Sequence, residues 1–112
     1  MSAIAQGIKE LVKKSIAENP VMVFSKSYCP YCTGAKDLFD DLSVNYKALE
    51  LDIREDGPDV QKALFELTGQ KTVPNVFINS KHIGGFSDID EAFKSGKLET
   101  LLKEAGIKES KL

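Results

Sequence analysis

Apolar side chains recur along this chain in two rhythms, one of three to four residues and one of about two, and their alternation predicts five helices and four strands. Over residues 3–19, Ile4, Ile8, Leu11, Val12 and Ile16 share one helical face, and the pattern stops near Asn19-Pro20 because proline cannot continue the turn. "VMVFS" at residues 21–25 is β-branched and aromatic on both sides, the pattern of a central strand covered on both faces. Helical spacing returns from Tyr31 with Ala35, Leu38, Phe39 and Leu42; "YKALELDI" at 46–53 then alternates Leu49, Leu51 and Ile53 with polar or small residues, predicting a second strand. "GPDVQKALFELTG" at 57–69 opens on Pro58, carries Val60, Leu64 and Leu67 on one face, and closes on Gly69.

"NVFI", the turn-like Asn79-Ser80 and "KHIG" predict a hairpin ending at Gly84-Gly85. Asp88, three residues before Glu91, gives a capping-box-like start to the next helix. A last helix runs from Leu98 to Ala105 with Leu98, Leu101 and Leu102 inward, and a polar tail follows Gly106. The order αβαβαββαα implies an α/β fold: a four-stranded mixed sheet, one parallel pair extended by an antiparallel hairpin, with helices on both faces. No repeat, linker or low-complexity tract divides it, so residues 1–112 are expected to form one domain.

Charge narrows the partners. Fifteen basic and 17 acidic side chains are interspersed to a net charge of −2, which leaves no stripe to follow a phosphate backbone, so nucleic acid is not an expected partner. The longest purely apolar run is the four residues Val21 to Phe24, so no membrane span is expected, and no secretory leader. A reducing compartment, the cytoplasm, is therefore expected, and there paired cysteines are more often catalytic or metal-binding than structural.

The only two cysteines, Cys29 and Cys32, stand in "SKSYCPYCTGAK" at a strand-to-helix corner. Pro30 suits the first helical position and pushes its predecessor out of helical geometry, which puts Cys29 at the N-cap. A Cys29 thiolate there accepts from the N–H groups of Tyr31 and Cys32. Lowering a thiol pKa from about 8.5 by about two units takes about 2.7 kcal/mol. The helix dipole supplies roughly 0.3 to 1 kcal/mol, up to about 2, and N–H donors and Lys26 are available for the rest. Cys32, one turn on, is within bridging reach but lacks the terminal position, so it is the less reactive thiol. A static disulfide across so short a ring removes little chain entropy. A closed zinc site needs four ligands, and beyond the cysteines the chain offers a single histidine, His82. His82 reads as a strand residue without a partner for base catalysis. No metal site is expected, and a redox couple remains.

"YCPYC" after a strand, "TVPNVFI", "HIGG" and then "SD" opening a helix resemble the glutaredoxins of the dithiol class, over nearly the whole chain. The resemblance implies a thioredoxin fold, Cys29 as nucleophile, Cys32 as resolving thiol and glutathione as electron-donating cosubstrate, with no tightly bound cofactor. It implies a glutathione groove formed by Lys26, Tyr31, Gln61, Thr72, Val73, Pro74, Gly85, Ser87 and Asp88, and a cis Val73–Pro74 bond. Expected partners are glutathione and glutathionylated or disulfide-bonded proteins, met by a monomer. Phe86 departs from the smaller or polar residue that relatives often carry after the glycines, and no third cysteine is present. A thioredoxin-like enzyme recharged by a reductase is the second reading, weakened by the absence of Trp and of Gly-Pro between the cysteines. A third is a binding module whose two subunits share an iron–sulfur cluster through Cys29 and glutathione, which Pro30 disfavours.

Overall fold

The computed structural model describes residues 5–107, so Ile4 and the tail residues 108–112 lie outside the description. Strand β1 (Val21–Ser25) is buried at every position because its two faces feed two different cores. Val21 and Val23 point into one with Phe39, Val76, Ile78, Ile89 and Leu102. Met22 and Phe24 point into the other with Val12, Ile16, Val60, Leu64 and Phe77. The period of two that a strand imposes thus turns one apolar run into the spine of both layers. Truncating a core aromatic such as Phe24 to alanine is worth roughly 3–5 kcal/mol.

Around β1 stand helix α1 (Gln6–Glu18), α2 (Pro30–Asp41), β2 (Lys47–Glu50), α3 (Gly57–Thr68), β3 (Asn75–Ile78), β4 (Lys81–Gly84), α4 (Phe86–Ser95) and α5 (Lys97–Glu104). The sheet order is β2-β1-β3-β4. β1 runs parallel to β2 and antiparallel to β3, and β3 pairs antiparallel with β4. Helices α1 and α3 supply Val12, Ile16, Val60 and Leu64 to one core, while α2, α4 and α5 supply Phe39, Ile89 and Leu98 to the other. The element order and the mixed sheet are those expected from the pattern.

Two boundaries differ from expectation. The second strand ends at Glu50 and does not reach Ile53, which is exposed. Leu51 still donates its N–H to Ser25 O at 2.8 Å, but Asp52 then turns aside to accept from the backbone N–H of Ser27 at 2.9 Å and from its hydroxyl. That side-chain anchor outcompetes the ladder. The fourth helix begins at Phe86, and Asp88 is its third residue, accepting from Gly85 N–H at 2.9 Å. Asp88 therefore closes the helix start from inside instead of opening it. Gly69 ends α3 in the left-handed region, φ 77°, as the stop signal required.

Candidate active site

The carboxyl end of β1 leads through residues 26–28 into α2, and the cysteines sit at that corner. The loop is pinned on one side by Asp52 to Ser27 and on the other by Cys29 N–H donating to Lys26 O at 3.1 Å. Cys29 has extended backbone angles, φ −85° and ψ 119°, and is the N-cap of α2, with Pro30 following. Its Sγ accepts from the backbone N–H of Cys32 at 3.4 Å and lies 3.8 Å from Val73 O, to which the thiol donates when protonated.

The two thiols are pushed in opposite directions. At Cys29 desolvation acts upward, but the N–H of Cys32, the Cys32 thiol, the N–H of Tyr31 and the Lys26 ammonium outweigh it, and the pKa falls below the ordinary thiol value. At Cys32, which is fully buried, desolvation is again the first cause and it prevails. The Lys26 N–H and the Ser25 hydroxyl favour the thiolate, Cys29 opposes it, and the pKa rises. A partly exposed, acidified thiol beside a buried, alkalised one is the arrangement of a nucleophile and a resolving partner.

Beside Cys29 opens a groove of about 560 Å³. Thr72, Val73 and Pro74 line it from the segment before β3, Gly85, Ser87 and Asp88 from the start of α4, and Tyr31 from α2. Seven of the nine non-cysteine residues expected in the site are therefore gathered here. The Val73–Pro74 bond is cis. Lys26 stands apart from the groove and reaches the site through its charge on Cys29. Gln61 stands apart too, in a neighbouring depression with Lys62, Phe65 and Lys71, where its Nε2 donates to Lys71 O at 2.8 Å.

Two lining residues were not among those expected in the site. Gln70 lines the groove and donates to the carbonyls of Thr72 and Pro74. No local spacing marks it, because its partners are set by the turn of the backbone. Phe86 lines the groove with its ring 6.2 Å from that of Tyr31; its bulk after two glycines was the available signal. His82 is a residue of β4, as expected, and its Nε2 lies 3.2 Å from Gln70 Oε1, with the Phe77 ring 5.2 Å away. Among the described residues no three His, Cys, Asp or Glu side chains gather as metal ligands, and no helix is long and apolar enough to cross a membrane.

Comparison with known proteins places this geometry. The family model described as Glutaredoxin matches residues 21–83. Glutaredoxin-C6 of Oryza sativa subsp. japonica is 55% identical over 94 residues, covering 84% of each chain. Glutaredoxin-C4, chloroplastic, of the same plant is 52% identical over 94 residues, 84% of this chain and 71% of the relative. The crystal structure of a buckwheat glutaredoxin–glutathione complex superposes with a TM-score of 0.85 at 43% identity, over 91% of this chain and 96% of that one. The family match runs from β1 into β4 and so takes in both cysteines and the Val73–Pro74 turn: this chain has the thioredoxin fold and belongs to the glutaredoxin family.

Proposed function

We propose that this protein is a glutathione-dependent thiol–disulfide oxidoreductase, reducing glutathione mixed disulfides and protein disulfides through Cys29 and Cys32. The observation that carries the reading is the placement of the two thiols one helical turn apart beside the groove, Cys29 at the N-cap with its Sγ 3.4 Å from Cys32 N–H and 3.8 Å from Val73 O, and Cys32 buried behind it. The Cys29 thiolate attacks the glutathione sulfur of a mixed disulfide. The old S–S bond breaks, the protein thiolate leaves and takes up a proton, and Cys29 carries the glutathionyl group. A second glutathione thiolate attacks that glutathionyl sulfur, giving oxidised glutathione and the Cys29 thiolate. With a protein disulfide, Cys29 becomes tethered to the protein and Cys32 attacks Cys29 Sγ, releasing the dithiol and leaving a Cys29–Cys32 disulfide for two glutathiones to reduce.

The groove suits the tripeptide. Val73 O lies 3.8 Å from Cys29 Sγ, so an extended peptide laid along Val73 as an added strand brings its own sulfur to Cys29. Asp88, exposed at the start of α4, faces the α-ammonium group; Thr72, Pro74, Gly85, Ser87 and Tyr31 shape the walls. Lys26, at the cysteine end, and Gln61, in the neighbouring depression, are assigned to the charged end groups on the resemblance. The buckwheat relative, at 43% identity, was crystallised with glutathione, which supports this assignment.

The enzyme acts as a monomer built of one domain over residues 1–112. We place it in the cytoplasm, where glutathione keeps thiols reduced; one relative is chloroplastic, and fractionation of the source cells decides between the compartments. Activity is tested by turnover of a glutathionylated peptide with glutathione and glutathione reductase, against turnover with thioredoxin reductase. Sustained turnover only in the second system would replace the glutathione reading with the thioredoxin one.

A further inference from the structure

Everything the groove asks of Val73 depends on a short segment between α3 and β3, and one side chain of the groove lining holds that segment. Gln70 Nε2 donates to Thr72 O at 3.0 Å and to Pro74 O at 3.0 Å. A primary amide has two N–H donors, and here both are spent on the carbonyls that flank Val73. The carbonyl between them, that of Val73, is left to the active site, 3.8 Å from Cys29 Sγ. The clamp thus engages the neighbours and leaves Val73 itself to the ligand.

The clamp is itself oriented. Gln70 Oε1 lies 3.2 Å from His82 Nε2 on β4. With the proton on Nε2 the imidazole donates to the amide oxygen, so the amide cannot flip its NH₂ group away from the turn. The backbone of Gln70 is fixed as well: its N–H donates to Thr68 Oγ1 at 3.1 Å, and that hydroxyl donates to Leu64 O at 2.8 Å. Asn75 Nδ2, at the first residue of β3, reaches the same hydroxyl at 3.4 Å. Through its backbone and side chain together, Gln70 therefore ties the end of α3 to the Thr72–Pro74 turn and to β4. Gly85 lies beside the same hydrogen bond: a Cβ there would meet Pro74 O at 3.6 Å and Gln70 Nε2 at 4.0 Å.

We infer that Gln70 is a positioning residue for glutathione recognition, and that His82 holds it in its working orientation. The inference rests on the glutathione reading above and adds the residue that presents Val73. Its effect is on recognition of the tripeptide backbone; the N–H donors, Cys32 thiol and Lys26 that lower the Cys29 pKa against desolvation lie outside the clamp.

The test uses the full chain and two substrates: one peptide blocked by a glutathione mixed disulfide, and the same peptide blocked by a cysteamine mixed disulfide, which has no peptide backbone to pair with Val73. Wild type should show the lower KM for the glutathione form. Gln70→Met, similar in length but without donors, should raise that KM about tenfold, the scale of two lost hydrogen bonds. Its kcat should stay within about twofold, its KM for the cysteamine form should not change, and the Cys29 thiolate should titrate as in wild type. Gln70→Arg, which keeps N–H donors, should recover most of the loss. His82→Ala leaves the turn's own residues intact and should raise the glutathione-form KM about threefold, which keeps the test decisive if Gln70→Met folds poorly. An unchanged KM in both Gln70→Met and His82→Ala, in an enzyme that still prefers the glutathione form, overturns the positioning role alone. An equal loss on both substrates reduces Gln70 to a structural residue and also overturns it. A wild type indifferent to the two substrates removes the glutathione reading and the positioning role with it.

Discussion

The backbone N–H of Cys32 donates to the Sγ of Cys29 at 3.4 Å, so the residue that resolves the reaction also stabilises the nucleophile it will later attack. Its main-chain N–H serves the first task, with the Cys32 thiol adding to it, and only its side chain serves the second. Cys32→Ser keeps the main-chain donor and loses the resolving thiol. It should therefore retain most deglutathionylating activity and lose most reduction of protein disulfides. Cys29→Ser should lose both, because serine forms no disulfide. Assays on a glutathionylated peptide and on a disulfide-bonded protein separate the two reactions, and activity surviving in Cys29→Ser would reverse the assignment of nucleophile.

The opposed thiols predict two pH profiles from one protein. Cys29 is active as the thiolate, and its pKa is lowered by N–H donors, the Cys32 thiol and Lys26 against the upward push of desolvation. Deglutathionylation should fall as pH drops through that lowered value and be level above it. The release step of protein disulfide reduction needs the Cys32 thiolate, and the Cys32 pKa is raised chiefly by desolvation. Its rate should keep climbing into the alkaline range. Rapid-quench measurement of mixed-disulfide release as a function of pH checks this; a release step that levels off at the same pH as deglutathionylation would contradict it.

Asp88 has a structural and a chemical task that substitution can separate. Its Oδ2 accepts from Gly85 N–H at 2.9 Å, closing the first turn of α4, and its carboxylate lines the groove. Asparagine keeps an acceptor oxygen for the first task and lacks the charge for an ammonium group. Asp88→Asn should cost well under about 1 kcal/mol of stability, the ordinary scale of a lost cap. It should weaken glutathione binding about tenfold, as loss of a charge-assisted bond of about 1.5–3 kcal/mol implies. Thermal melting and calorimetric titration together check the decoupling; early melting with unchanged binding would leave Asp88 as a helix-start residue only.

Much of this was legible in the chain because it is local. The two-sided burial of Val21 to Ser25, the N-cap geometry of Cys29 before Pro30 and the left-handed stop at Gly69 each follow from one residue and its immediate neighbours. What was not legible depends on how the folded backbone brings partners together. β2 stops short because Asp52 binds Ser27, 25 residues away. Gln70 matters because the turn curls two carbonyls back onto it and because β4 brings His82 to its other end. Gln61 was grouped with the groove through the resemblance, and the fold sets it in the adjoining depression beside Lys71.

Phe86 and Gly34 form a second long-range pair, and the sequence marks only one half of it. A Cβ built on Gly34 would stand 2.9 Å from a ring carbon of Phe86, so the ring occupies space that any other residue at position 34 would claim. Gly34 lies inside α2, where alanine is favoured over glycine by about 1 kcal/mol. The ring is the far end of a side chain that can turn, so Gly34→Ala should leave stability level or slightly higher. The displaced ring also lines the groove beside Tyr31. Gly34→Ala should therefore raise the KM for a glutathionylated peptide several-fold without changing the Cys29 thiolate titration. Phe86→Ala removes the obstacle, and in that background Gly34→Ala should cost nothing further, a non-additivity expected of residues in contact. A double-mutant cycle on KM, with melting temperatures measured alongside, decides it: additive effects would mean that the two residues act on the groove separately and that the ring is not displaced.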